Sequence, residues 1–170
     1  MEIWDAYNED GSLAGCDLVR GEPIPAGLCH LVSEVLVQHM DGSYLLMQRD
    51  FNKEGYPGMF EATAGGSVLK GESPESGAIR ELKEETGIVA TSLKQIYKTI
   101  NNNRNTIFIG YLCITDCDKN SVTLQEGETI SYRWLIRNEF LEFLDTAQYI
   151  PFHKNRLSSF LDSMKQAADT

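Results

Sequence analysis

The chain has 170 residues, enough for one domain with its own hydrophobic core. Hydrophobic residues make up 42% and charged residues 24%, an ordinary globular composition that excludes extensive disorder away from the ends. The formal net charge of -10 opposes a stable complex with nucleic-acid phosphates, and no apolar run approaches the ~20 residues of a membrane span.

In chain order, Ile3 to Tyr7 reads as a strand, Asn8-Glu9-Asp10-Gly11 as a turn, and Leu13 to Val19 as the returning strand. Pro23, Pro25 and Gly27 then break the chain. His30 to His39 carries Leu31, Val32, Val35, Leu36 and Val37 and predicts a buried strand; Asp41-Gly42 turns it into a partner at Tyr44 to Gln48. Phe51 to Gly58 is a polar loop, and Phe60 to Ala64 a short strand ending at Gly65-Gly66. Pro74 to Thr86 is a helix with legible ends: Ser73 as N-cap, Pro74 at the first helical position, Gly87 as stop. Leu93 to Ile100, Thr106 to Thr115 and Ile130 to Ile136 are further strands. Asn138 caps a helix bearing Phe140, Leu141, Phe143 and Leu144. A last helix carries Leu157, Phe160, Leu161 and Met164 at core-packing spacing. Strands interleaved with a few helices give an α/β class.

Cys16, Cys29, Cys113 and Cys117 form no C-x-x-C pair and have no matching histidines, so they read as free thiols. Met1-Glu2-Ile3-Trp4-Asp5 lacks the regions of a signal peptide. The expected location is cytoplasmic.

At about 100° per residue, Ala78, Ile79, Leu82 and Thr86 share one face of the Pro74–Thr86 helix, suited to packing on a sheet. Glu81, Glu84 and Glu85 share the adjacent sector. Each i,i+4 pair of like charges costs a few tenths of a kcal/mol. Arg80 and Lys83 are expected to point mostly elsewhere. A divalent cation offsets such repulsion, and carboxylate oxygens suit hard ions such as Mg²⁺ or Mn²⁺. Glu-rich helix surfaces are common, so spacing alone does not make this a site; the surrounding pattern does.

That pattern runs Gly66-x5-Glu72-x7-Arg80-Glu81-Leu82-x-Glu84-Glu85-x-Gly87-Ile88, nine fixed positions over 23 residues. It resembles the Nudix box at every position. The resemblance implies a Nudix fold, an α/β/α sandwich with a mixed β-sheet. It would comprise an N-terminal hairpin extension over residues 1–29, a core over 30–140 and a C-terminal helix over 150–165. It also implies Glu81, Glu84 and Glu85 as metal ligands, joined by a carbonyl at Gly65 or Gly66. Arg80 would orient a helix carboxylate, with Glu72 as its loop partner. The implied reaction is hydrolysis of a diphosphate linked to another moiety, with Mg²⁺ or Mn²⁺ as cofactor. Outside the box, Glu128 is expected as general base or extra ligand, with Glu126 nearby, and Arg49, Lys53 and Arg104 as phosphate-binding groups.

The stretch from Gln48-Arg49 through Tyr56-Pro57-Gly58-Met59-Phe60, with Trp4-Asp5 and His30, looks like the branch related to type 1 isopentenyl-diphosphate isomerase. That enzyme needs a cysteine shortly before the box, and Phe60-Glu61-Ala62-Thr63-Ala64-Gly65-Gly66 has none. A non-catalytic nucleotide-sensing module is a further alternative, opposed by the complete set of carboxylates. The substrate stays open; Trp4, Phe51, Tyr56 and Phe60 are candidate stacking surfaces or core. Homodimers are common among such relatives.

Overall fold

A computed structural model describes residues 1–166. The strands are β1 (Ile3–Asn8), β2 (Leu13–Val19), β3 (Leu28–His39), β4 (Tyr44–Arg49), β5 (Phe60–Glu61), β6 (Thr63–Ser67), β7 (Lys94–Asn101), β8 (Thr106–Thr115) and β9 (Thr129–Leu135). The helices are α1 (Pro74–Thr86), α2 (Arg137–Phe143) and α3 (Pro151–Gln166).

The long apolar strand β3 organises the sheet. It runs parallel to β8, from His30 opposite Thr106 to His39 opposite Thr115. On its other edge it is antiparallel to β6, from Val32–Ser67 to Leu36–Thr63. β7 pairs antiparallel with β8, and β4 pairs antiparallel with both β5 and β9. The parallel pair needs a crossover, and α1 lies within it. The single strand predicted over Phe60 to Ala64 is split at Ala62, because β5 hydrogen-bonds to β4 and β6 to β3.

Period-two alternation sorts the core into two layers. Leu31, Val35 and Val37 of β3, Leu45 and Met47 of β4, and Ile107, Ile109 and Tyr111 of β8 face Ala78 and Leu82 of α1. Leu36, Tyr44, Leu46 and Leu112, one position out of step, face Phe140 of α2 and Leu157, Leu161 and Met164 of α3. Helices therefore cover both faces of a mixed sheet, the expected α/β/α sandwich. The C-terminal apolar stripe packs as core, as its spacing predicts.

Local signals place α1 well. Ser73 accepts from the Ser76 N–H at 3.1 Å, and Gly87 closes the helix at φ 74°, a left-handed conformation that glycine adopts without Cβ strain. Two details differ. Gly77 is buried with Ala78, Leu82 and Thr86, whereas Ile79 is only partly buried. Asn138 lies inside α2, whose N-cap position is Ile136 with no side-chain cap; burial of Phe140 anchors that helix instead. Leu82 is fully buried, worth roughly 1.5–3 kcal/mol to the α1 interface.

β1 and β2 form a hairpin attached to the start of β3 through Tyr7–Cys29 and Asn8–Leu28. Trp4, Ala6 and Leu18 make its own small core, with Trp4 stacked on His30 at 4.6 Å. The four cysteines are unpaired. Among the described residues no helix is long and apolar enough to cross a membrane.

Candidate active site

The carboxylate side of α1 lies against β6. Gly65 and Gly66 make that approach feasible. A Cβ on Gly66 would sit 2.5 Å from Glu81 Oε1, and one on Gly65 would sit 2.2 Å from the Ser33 carbonyl oxygen. The backbone thus runs where any larger residue would meet the Glu81 carboxylate or the β3 backbone. The Gly65 N–H donates to Glu85 Oε2 at 3.2 Å, fixing one carboxylate on the sheet edge.

Arg80 ties the box together. Its Nε and Nη2 donate to Glu72 at 2.8 and 3.0 Å, a two-point pairing suited to guanidinium and carboxylate. Nη2 also donates to the Ser67 carbonyl at 3.1 Å, and Glu72 accepts the Leu69 N–H at 2.9 Å. Arg80 does not point away from the helix carboxylates as the helical projection predicts. Its Nη1 donates to Glu81 at 2.7 Å and reaches Glu84 at 3.3 Å. The projection fixes where a side chain starts, and an arginine is long enough to fold back.

A cleft of about 720 Å³ opens over this arrangement. Glu81, Glu84, Glu85, Gly65 and Gly66 form its floor, Arg49, Lys53 and Glu128 one rim, and Glu2, Trp4 and Arg20 of the hairpin region another. Glu128 lies in the turn before β9 and pairs with Lys53 across the cleft rim. The backbone bond from the Asp50 N–H to the Glu128 carbonyl, 2.8 Å, holds the two loops together.

Glu61, on β5, also enters the cleft and was not among the sequence-derived candidates. It is 14% exposed and accepts from Arg49 Nη1 at 3.0 Å. A lone glutamate among the small and apolar residues of Phe60 to Ala64 was the available signal. Its partners lie on β4 and α3, so only the fold reveals its place. The bonds from the Phe60 N–H to the Gln148 carbonyl (2.7 Å) and from the Ile150 N–H to the Phe60 carbonyl (3.1 Å) dock the start of α3 beside it. His153 consequently lies 3.8 Å from Glu61 and 3.4 Å from the Thr63 hydroxyl.

The electrostatics are those of crowded anions. Burial pushes the Glu85 carboxyl well above its ordinary range, and Glu61 and Glu81 push it further. Burial raises Glu61 to about 7 against the opposing pull of Arg49. Burial also raises Glu81, offset in part by Arg80. The Arg80 hydrogen bonds lower Glu72, marking it as structural partner rather than proton donor. Burial depresses His153 to about 4, so its ring is neutral at pH 7.

Several carboxylates converging on glycine backbone make a donor set that fits a hard divalent cation. Among the described residues no three such groups already stand around one point at ligating distance. Arg80 engages Glu81 and Glu84 instead, so a cation held by those two would require both side chains to turn.

Arg104 is not in this cleft. It lies in the short 3₁₀ turn Asn102–Arg104 and lines an adjoining cavity of about 890 Å³. The two cavities meet at Arg49, Glu61 and Gly65. Of the candidate stacking residues, Trp4 and Phe60 are core, Phe51 is exposed and packs on Gly58, and Tyr56 lines the adjoining cavity.

Comparison with known proteins agrees with this architecture. Residues 30–155 match the NUDIX domain. An uncharacterized Nudix hydrolase of Listeria monocytogenes is 33% identical over 153 residues, covering 89% of this chain and 90% of that protein. The uncharacterized Nudix hydrolase YfcD of Escherichia coli is 29% identical over 143 residues, covering 83% and 75%. Among solved structures, DR0079 from Deinococcus radiodurans superimposes with a TM-score of 0.71 at 18% identity, covering 94% of this chain and 99% of that one. The NUDIX domain of Shewanella oneidensis NrtR, solved with ADP ribose, gives 0.62 at 15% identity, covering 88% and 94%. With the box complete, the sandwich formed and the match spanning most of its length, the chain belongs to the Nudix hydrolase family.

Proposed function

We propose that the chain hydrolyses a diphosphate linkage in a nucleoside diphosphate derivative or a related diphosphate compound, with Mg²⁺ or Mn²⁺ as cofactor. The observation that carries this reading is the group of Glu81, Glu85 and Glu61 around Gly65 and Gly66, whose mutual repulsion a divalent cation relieves. Glu81, Glu84 and Glu85 would hold the cation, with a carbonyl of Gly65 or Gly66. When bound, it acidifies water and neutralises charge on the phosphoryl oxygens.

The chain's own groups supply the rest. Arg80, fixed by Glu72, sets the orientation of Glu81 and Glu84. Glu128 faces the same cleft and accepts a proton from the attacking water, and its ion pair with Lys53 holds it in place. Arg49 and Lys53 stand at the rim, where the anionic substrate enters. Attack at one phosphorus breaks its bond to the bridging oxygen, and the second phosphate leaves with that oxygen.

Within the family, the segments around Gln48-Arg49 and Tyr56 to Phe60 suit the branch resembling the isomerase, but the chemistry favours hydrolysis. No cysteine lines either cavity: Cys29 and Cys113 are buried in the sheet, and Cys16 is exposed on β2. A sensing module would not need every box carboxylate at the cleft. The ADP ribose complex of the Shewanella domain supports a small-molecule diphosphate as ligand. The four unpaired thiols suit a cytoplasmic setting, and a homodimer is in keeping with such relatives. A screen of diphosphate compounds with Mg²⁺ or Mn²⁺, following released phosphate or monophosphate, tests the reading. Release that needs the cation is expected; full release in excess chelator, or none from any compound, refutes it.

A further inference from the structure

The cavity beside the carboxylate cleft has its own chemistry. At its floor Arg156 of α3 reaches across to Glu34 of β3, with Nε–Oε2 at 2.8 Å and Nη2–Oε1 at 2.5 Å. The Tyr97 hydroxyl donates to the same carboxylate, and the guanidinium lies over the Phe108 ring at 4.2 Å. Glu34 is on the face of β3 turned toward α3, and its side chain is 7% exposed; that of Arg156 is 15% exposed. A satisfied buried network of this kind is rigid, and a guanidinium held along one edge and on one face has little rotameric freedom.

Nothing in the hydrolytic step uses this network, yet it opens into the cavity that joins the cleft at Arg49, Glu61 and Gly65. The bonds to Glu34 occupy Nε and Nη2 and leave Nη1 for another acceptor. The pair is close to neutral overall, so what it offers is a fixed donor rather than a free positive charge. The walls are mostly polar: Asn101, Asn102 and Asn155 line the cavity beside Arg104, with Tyr56 and Phe152 as an aromatic pair 6.1 Å apart.

We propose that Arg156, held by Glu34 and Phe108, is a specificity-determining residue that donates to a hydroxyl or carbonyl of the substrate moiety beyond the diphosphate. A sugar or nucleoside supplies such acceptors. An alkyl chain would leave the guanidinium edge and the amides desolvated without partners, and sites of that kind discriminate strongly against analogues lacking the acceptor. The proposal rests on the cleft being the diphosphate site.

The test is binding, which needs no turnover. Calorimetry with Mg²⁺ compares non-hydrolysable methylene-bridged ADP-ribose with a five-carbon alkyl methylenediphosphonate, in wild type and Arg156→Lys. Lysine keeps the charge opposite Glu34 but lacks the fork. The expected result is a roughly 10- to 100-fold weaker Kd for the ADP-ribose analogue, with the alkyl compound changed less than about 2-fold. Phe108→Leu, which spares the ion pair, gives a smaller loss with the same selectivity and serves if Arg156→Lys does not fold. Equal weakening of both ligands, or no weakening of either, overturns the specificity role while leaving the diphosphate reading intact. Failure of wild type to bind either ligand overturns both.

Discussion

The two adjacent glycines of β6 should fail in opposite ways when each receives a single methyl group. A Cβ at position 66 would stand 2.5 Å from Glu81 Oε1, 2.6 Å from Cδ and 2.8 Å from Oε2. Ordinary contact begins at 3.4 Å, so the carboxylate must retreat by about 0.9 Å, the difference between 3.4 and 2.5 Å. The displaced group is the end of a flexible side chain and can move at little cost to folding. It cannot move without disturbing its 2.7 Å bond from Arg80 and its place in the cleft. A misplacement near 1 Å costs on the order of 100-fold in rate, about 2.7 kcal/mol in the barrier. Gly66→Ala should therefore fold normally and turn over about 100-fold more slowly. In Gly65→Ala the new Cβ would meet backbone instead: the Ser33 carbonyl at 2.2 Å and Glu34 Cα at 2.8 Å. Relief requires β6 to shift away from β3, costing about 3 kcal/mol and roughly 6–12 °C in the unfolding midpoint for a chain of this size. Thermal unfolding by circular dichroism and turnover of a diphosphate substrate per folded molecule measure both effects. Wild-type turnover by Gly66→Ala, or a midpoint falling as far as that of Gly65→Ala, would refute the reasoning.

Three further outcomes are expected. Glu85→Gln removes a half-buried charge crowded by Glu61 and Glu81, so without metal the protein should unfold at an equal or higher temperature while turnover falls steeply; a collapsed midpoint with surviving turnover would make Glu85 structural. Glu61 binds its proton more tightly in the folded state, at about 7 against 4.5 for the unfolded group. Its contribution is therefore complete below pH 4.5 and is lost as pH rises toward 7. Metal-free stability should fall by up to ~3 kcal/mol across that window, and Glu61→Gln should flatten the fall in denaturant titrations. Glu128→Gln should lower kcat by about 100-fold or more with the unfolding midpoint unchanged; wild-type turnover would assign the proton transfer elsewhere.

How much of this was legible in the sequence depended on the range of each interaction. Helix α1 was readable to its ends because Ser73, Pro74 and Gly87 act within a turn of where they stand. The strands β3, β4 and β8 were readable as apolar runs, but their faces were not, because consecutive residues are apolar and both faces of the sheet are buried. Sequence patterning gave no hint that Phe60 to Ser67 divides between two strand partners, since that choice belongs to β3 and β4. Arg49, Lys53 and Glu128 do reach the cleft with the box residues, although Arg49 is taken up by Glu61. Arg104 sits with them only in chain order: the 3₁₀ turn carries it to the neighbouring cavity. The C-terminal helix was read from its apolar stripe alone, and that stripe does pack. Its other face, which brings His153 and Arg156 to residues more than 85 positions earlier, has no local signature.

The most direct measurement is the fate of labelled oxygen. The protein is incubated with Mg²⁺ and a diphosphate substrate from the screen in ¹⁸O-enriched water, and the products are analysed by mass spectrometry. A parallel incubation contains isopentenyl diphosphate. Hydrolysis at the carboxylate cleft predicts one ¹⁸O atom in a single phosphate product, loss of that product in excess chelator, and no conversion of isopentenyl to dimethylallyl diphosphate. Isomerisation without label uptake, abolished by a thiol reagent, would contradict it.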